Sequence, residues 1–165
     1  MSMEYVDDFI ATVSAAARRL KRVPDADAAR RPRPGKWSAK EIIGHLIDSA
    51  ANNHQRFVRA VWQEDLIFSG YDQDAWVAVQ GYQGVPWPDL LDLWASYNYH
   101  LAHVMRAIPD PVRSRMHTRH NLETVAWQPV PRGQATSLDY LMRDYFGHLQ
   151  HHLRQLEALR LPGSS

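Results

Sequence analysis

An all-α chain folded as a four-helix bundle is the architecture this sequence predicts, on three observations. Four long segments carry apolar residues at helical spacing, and no alternating series of strand type competes with them. Proline and glycine clusters separate these segments. The connections differ greatly in length, the two long ones lying between helices 2 and 3 and between helices 3 and 4, which suits a four-helix bundle. At 165 residues, 45% of them apolar and 22% charged, the chain reads as a single globular domain over residues 1–165, large enough to bury a core.

The first helix is expected from about Tyr5 to Val23, where Val6, Phe9, Ile10, Val13, Ala16, Ala17 and Leu20 fall on one face and Pro24 ends the run. The connector ARRPRPGKW excludes regular structure. Ser38 then supplies an N-cap with Glu41 three positions on, a capping box that satisfies the first free N–H groups of the second helix. That helix is expected to reach about Trp62. The segment from Gln63 to Pro86 is a long connection with a short helix near Asp72 to Val79. Pro88, Asp89 and Asp92 suit the first turns of a third helix, which stops before Pro109. Residues from Asp110 to Gln134 are an ordered, irregular excursion containing Pro111, Pro129, Pro131 and Gly133. The fourth helix is expected from Thr136, with Asp139 in the boxing position, to about Arg160.

Composition removes several functions. The net charge of +1 creates no global field for nucleic acid or acidic membrane, and the absence of cysteine excludes disulfides, thiolate zinc sites and a cysteine nucleophile. The N-terminal stretch carries Glu4, Asp7 and Asp8 in place of a signal-peptide pattern, and no segment approaches the roughly 18–20 apolar residues of a membrane span. A cytoplasmic protein with no nucleic-acid or membrane partner is expected. A basic cluster from Arg18 to Lys36 holds eight Lys and Arg residues, but it lacks interleaved aromatics and reads as a solvated helix end and loop.

Nine histidines and six tryptophans stand out. On helix 2 the buried stripe is Ile42, Leu46, Ser49, Ala50, Asn53, Phe57 and Ala60, bordered by a polar row of Glu41, His45, Asp48, Asn52 and Arg56. His45 lies close enough to the stripe to reach the interior. On helix 4 the apolar face is Leu138, Leu141, Met142, Tyr145, Leu149, Leu153 and Leu156; His152 falls within it and His148 on its border, while His151 points away. His148 and His152 are one turn apart, so both rings can reach one ion. Together with His45 they form a three-nitrogen set with an open face, suited to zinc, nickel or ferrous iron. A metal-bound water, its pKa lowered toward about 7, is then the nucleophile, and no further catalytic side chain is required. The spacing alone also fits surface histidines and a hydrogen-bonded helix-edge His45, so both readings stay open at this point. His54, His100, His103, His117 and His120 are weaker candidates, Trp37 reads as a hydrophobic staple and Trp94 as core.

The string PGKWSAKEIIGHLIDSAANNHQRF resembles the signature of the DinB/YfiT-like superfamily, with its Trp-Ser start and His-Leu-x-Asp on the second helix. The closing YFGHLQHHLRQLE is similar to that family's His-x-x-x-His-x-x-Gln motif, and SGYDQDAWVAVQGY is also similar to family members. The resemblance implies an up-down-down-up bundle, a homodimer, and a metal site whose ligands fall on His45, His148 and His152. Asp48, Asn52, Tyr145 and Gln155 are the expected surroundings of that site. Zinc or nickel is the expected ion, with iron and manganese as alternatives. The activity implied is metal-dependent hydrolysis, or transfer involving a low-molecular-weight thiol, on a small-molecule substrate. The alternative is a non-catalytic, metal-stabilised bundle that serves dimerisation or a stress response.

Overall fold

The computed structural model describes residues 3–163, and they fold around four long helices. These are α1 (Glu4–Leu20), α3 (Ala39–Ala60), α5 (Trp87–Ala107) and α8 (Leu138–Ala158). Helix α3 packs against α5 and α8, and α1 packs against the same two helices from the other side. The buried faces follow the sequence periodicity: Val6, Phe9, Val13 and Leu20 from α1, Ile43, Leu46 and Phe57 from α3, Leu91, Trp94 and Leu101 from α5, and Leu141, Tyr145 and Leu149 from α8. Trp87, Trp94, Tyr145, Phe9 and Phe57 are the largest wholly buried side chains and fill the centre.

Helix α3 begins as its sequence requires. Ser38 Oγ accepts the Glu41 N–H at 3.2 Å, and Glu41 Oε2 accepts the Ser38 N–H at 2.8 Å. The box fixes where the helix starts, and therefore which turn carries His45.

Four details differ from the sequence expectation. Helix α1 ends at Leu20, and Pro24 caps an unforeseen one-turn helix, α2 (Asp25–Ala29). Helix α3 ends at Ala60, two residues early. The excursion after α5 holds two short helices, α6 (Asp110–Arg113) and α7 (Leu122–Val125), and a strand β1 (Met116–His117). That strand pairs antiparallel with β2 (Thr136–Ser137), so Thr136 is spent on the ribbon and the cap of α8 passes to Ser137, whose Oγ accepts the Tyr140 N–H at 3.2 Å. The short helix of the long connection is α4 (Gln73–Gln80), capped by Asp72, whose Oδ1 accepts the N–H groups of Asp74 and Ala75. Among the described residues no helix is long and apolar enough to cross a membrane.

Candidate metal centre

Three histidine rings meet where α3 lies beside α8. His45 Nε2 stands 3.3 Å from His148 Nε2, which stands 3.0 Å from His152 Nε2. Among the described residues this is the one group of three or more potential ligands whose donor atoms all lie within 4.8 Å of one another. Imidazoles bound tetrahedrally to one ion at about 2.0–2.1 Å place their nitrogens about 3.3 Å apart. The spacing found therefore fits a shared ion.

The protonation state fits as well. Burial, and then the neighbouring His152, push the His45 ring down to about 3. Burial, with His152, His45 and His151 around it, does the same to His148, also to about 3. Burial lowers His152 too, against a hydrogen bond to Gln155 that raises it. All three rings are therefore neutral near pH 7, the form that ligates metal. Two of them are oriented from outside: His152 Nδ1 donates to Gln155 Oε1 at 2.8 Å, and His148 Nδ1 lies 3.4 Å from Ser49 Oγ. Such contacts fix which ring nitrogen faces inward. His45 Nδ1 is buried without a partner.

Two tryptophans wall the cluster. The Trp37 ring lies against His45 with centroids 5.1 Å apart, and Trp127 lies 6.5 Å from His148 and 5.7 Å from His151. Trp127 fits there because residue 147 is glycine; a Cβ at that position would come within 3.0 Å of its ring.

Two cavities reach the histidines. One of about 370 Å³ touches His45 and His148 and continues past Ser49 and Asn53 to Arg56, with Tyr71, Trp127 and Asp144 among its walls. Another of about 570 Å³ touches His152 and Gln155, and Trp37, Arg33 and Lys36 line it. Gln73 borders both.

The remaining expected residues divide. Gln155 touches His152, and Tyr145 lines the smaller cavity while its hydroxyl donates to Asn98 deep in the bundle. Asp48 is turned away: Oδ1 accepts from the Tyr82 hydroxyl at 2.6 Å and from Gln80, and burial raises its pKa. Asn52 donates to the Asp48 carbonyl at 2.9 Å and borders a separate cavity. His117 and His120 are buried against the backbone carbonyls of Glu64 and Gln134, far in role from the cluster. His54 packs on His100 and Tyr97 at the α3–α5 surface. Four of the eight residues of the basic cluster are in ion pairs: Arg19 with Glu157, Lys21 with Asp92, Arg30 with Asp27 and Arg31 with Glu41. Sequence reasoning gave no role to Arg56, Trp127 or Asp144; the only signal was Arg56 standing in the same polar row as His45.

Comparison with known proteins follows the same line. "Putative metal-dependent hydrolase YfiT" of Bacillus subtilis (strain 168) is 28% identical over 80 residues, 46% of this chain and 45% of that protein. A protein of Oceanobacillus iheyensis with the same description is 23% identical over 90 residues, 52% of this chain and 51% of that one. The matched stretches thus span about half the length of these relatives. In three dimensions the chain superposes on YfiT, described as a probable metal-dependent hydrolase of unusual four-helix bundle topology, with a TM-score of 0.73 at 20% identity over 96% of this chain and 87% of that one. It superposes on a mycothiol-dependent maleylpyruvate isomerase with a TM-score of 0.63 at 14% identity, over 93% of this chain and 60% of the other. At such identities the likeness shows the fold. The family model described as the DinB superfamily matches residues 9–156, nearly the whole length, and the chain belongs to that superfamily.

Proposed function

We propose that His45, His148 and His152 hold one divalent ion, zinc or nickel in first place and iron or manganese as alternatives, in a metal-dependent enzyme acting on small molecules. The observation that carries this reading is the convergence of three neutral Nε2 atoms at 3.0 and 3.3 Å beside a cavity. An ion with three protein ligands and an open position acts as a Lewis acid and acidifies a bound water or thiol. A structural site would be closed by a fourth side chain, and the two carboxylates of α3 are engaged elsewhere, Asp48 by Tyr82 and Gln80 and Glu41 by Arg31 and Ser38.

The chain's own residues supply the rest. Gln155 and Ser49 orient His152 and His148. Trp37 and Trp127 shield the cluster from water, which strengthens every electrostatic interaction within it. One cavity at His45 and His148 and another at His152 give room for two organic substrates, so transfer involving a low-molecular-weight thiol is favoured over hydrolysis. The homodimer and the cytoplasmic location rest on the family resemblance and the sequence composition.

Elemental analysis of untagged protein beside His45→Ala and His152→Ala tests the site. About one ion per chain, lost in both variants, supports it. Metal retained by either variant, or absent from the wild type after reconstitution, sinks it. Screening the loaded protein with thiol-plus-electrophile pairs and with esters then separates the two chemistries, and inactivity toward both would leave the non-catalytic bundle.

A further inference from the structure

Among the described residues three Lys and Arg side chains are buried, and two of them are in direct contact with carboxylates. Lys40 Nζ stands 2.8 Å from Asp25, and Arg113 stands 3.0 Å from Asp110 and 3.4 Å from Asp139. Arg56 is 6% exposed and meets no carboxylate among the described residues. Its Nη1 donates to Asn53 Oδ1 and the Val125 carbonyl, its Nη2 donates to the Ser69 carbonyl, and its Nε is buried without an acceptor. These partners are dipoles, whereas a guanidinium removed from water calls for a counter-charge.

The arginine also stands in the right place. One cavity is lined by His45 and His148 and, further along α3, by Ser49, Asn53 and Arg56, which also borders a second cavity. Asp144 borders the first cavity without touching the guanidinium: its oxygens accept the N–H groups of Trp127 at 2.8 Å and Gln128 at 2.7 Å, and it acts on Arg56 through space only.

We propose that Arg56 is a specificity residue that receives the carboxylate at the far end of an elongated substrate, whose reacting end lies at the three histidines. The inference rests on reading those histidines as an open metal site, and it adds the substrate class: a long organic acid. Eleven residues of helix separate the two Cα atoms by about 16 Å, and the long arginine side chain leans back along the helix, so the span to bridge is on the order of 10 Å. A carboxylate fits better than a phosphate. The Nε–H and the second Nη2 hydrogen, the donors not taken by Asn53, Val125 and Ser69, match one planar, singly charged carboxylate, while a phosphate dianion would carry an unmatched charge into the cavity.

The test uses the cobalt(II)-loaded protein and two probes of equal length, 8-mercaptooctanoate and 8-mercapto-1-octanol, with the thiolate-to-cobalt absorption as readout. The acid is expected to bind at least about tenfold more tightly than the alcohol. Arg56→Gln is expected to remove that advantage and leave the alcohol unaffected. Equal affinity of acid and alcohol for the wild type overturns the assignment without recourse to any variant. An acid advantage that survives in folded Arg56→Gln overturns it also. If neither thiol perturbs the cobalt spectrum, the open metal site itself is wrong and this inference falls with it.

Discussion

Gln155 Oε1 accepts a hydrogen bond from Nδ1 of His152 at 2.8 Å, one turn further along α8. The bond keeps the proton on Nδ1, so the Nε2 lone pair must face His148. Removing an outer partner of this kind typically weakens metal binding about 10–100-fold. Gln155→Leu is therefore expected to lose affinity within that range while keeping its helical content, and Gln155→Glu, which retains an acceptor, is expected to keep most of it. Competition against a chromophoric chelator measures both. Equal affinity of Gln155→Leu and wild type would show that His152 is held by packing alone.

Metal binding must also appear as stability. A ligand that binds only the folded chain at about 1,000 times its dissociation constant adds about 4 kcal/mol. Zinc or nickel is expected to raise the thermal midpoint of the wild type and to leave that of His152→Ala unmoved. Calorimetry with and without chelator reads this directly, and an equal shift in the variant would place the ion elsewhere.

Burial holds His45 and His148 down at about 3. Below the ordinary histidine pKa of about 6.5 the unfolded chain takes up protons that these rings refuse in the fold. The metal-free protein is therefore at its most stable, for these groups, above that value, and loses stability as the pH falls from there toward 3, by up to about 1.4 kcal/mol per pH unit for each ring. The His45 and His148 rings themselves stay neutral in the folded state between pH 7 and 5. Histidine NMR is expected to show His45 and His148 without titration between pH 7 and 5, and denaturant midpoints are expected to fall over the same range. A ring titrating near 6.5 would mean that water reaches the cluster in solution.

The histidine cluster was legible because helical periodicity is a strict ruler. Once Ser38 and Glu41 set the start of α3, the facing of His45 followed from 100° per residue, as did that of His148 and His152 on α8. What the ruler misses is anything decided between elements. Helix α2 and the β1–β2 ribbon are too short to carry a periodic signal. Thr136 looks like a cap until it pairs with His117. Asp48 shares the polar row of His45, yet Tyr82, arriving from a connection more than thirty residues away, claims it. Arg56 reads as one more member of that polar row until the backbone carbonyls of Ser69 and Val125 close over it.

The contact that captures Asp48 depends on a glycine. A Cβ on Gly44 would lie 2.0 Å from Tyr82 Cδ2 and 2.4 Å from Cγ, so the ring rests directly on the α3 backbone. Two effects oppose each other in Gly44→Ala. Alanine is the better helix former by up to about 1 kcal/mol. Overpacking a buried ring costs about 1–3 kcal/mol, and this ring, 6% exposed and bonded to Asp48, has little freedom to retreat. The clash is expected to win, making Gly44→Ala net destabilising by about 1–2 kcal/mol. In a Tyr82→Ala background the clash is gone and only the propensity remains, so the same substitution is expected to become neutral or stabilising. Urea denaturation of the four proteins completes the cycle. A Gly44→Ala penalty that persists without the tyrosine ring would show that the glycine serves the helix itself, and that Tyr82 is placed by other contacts.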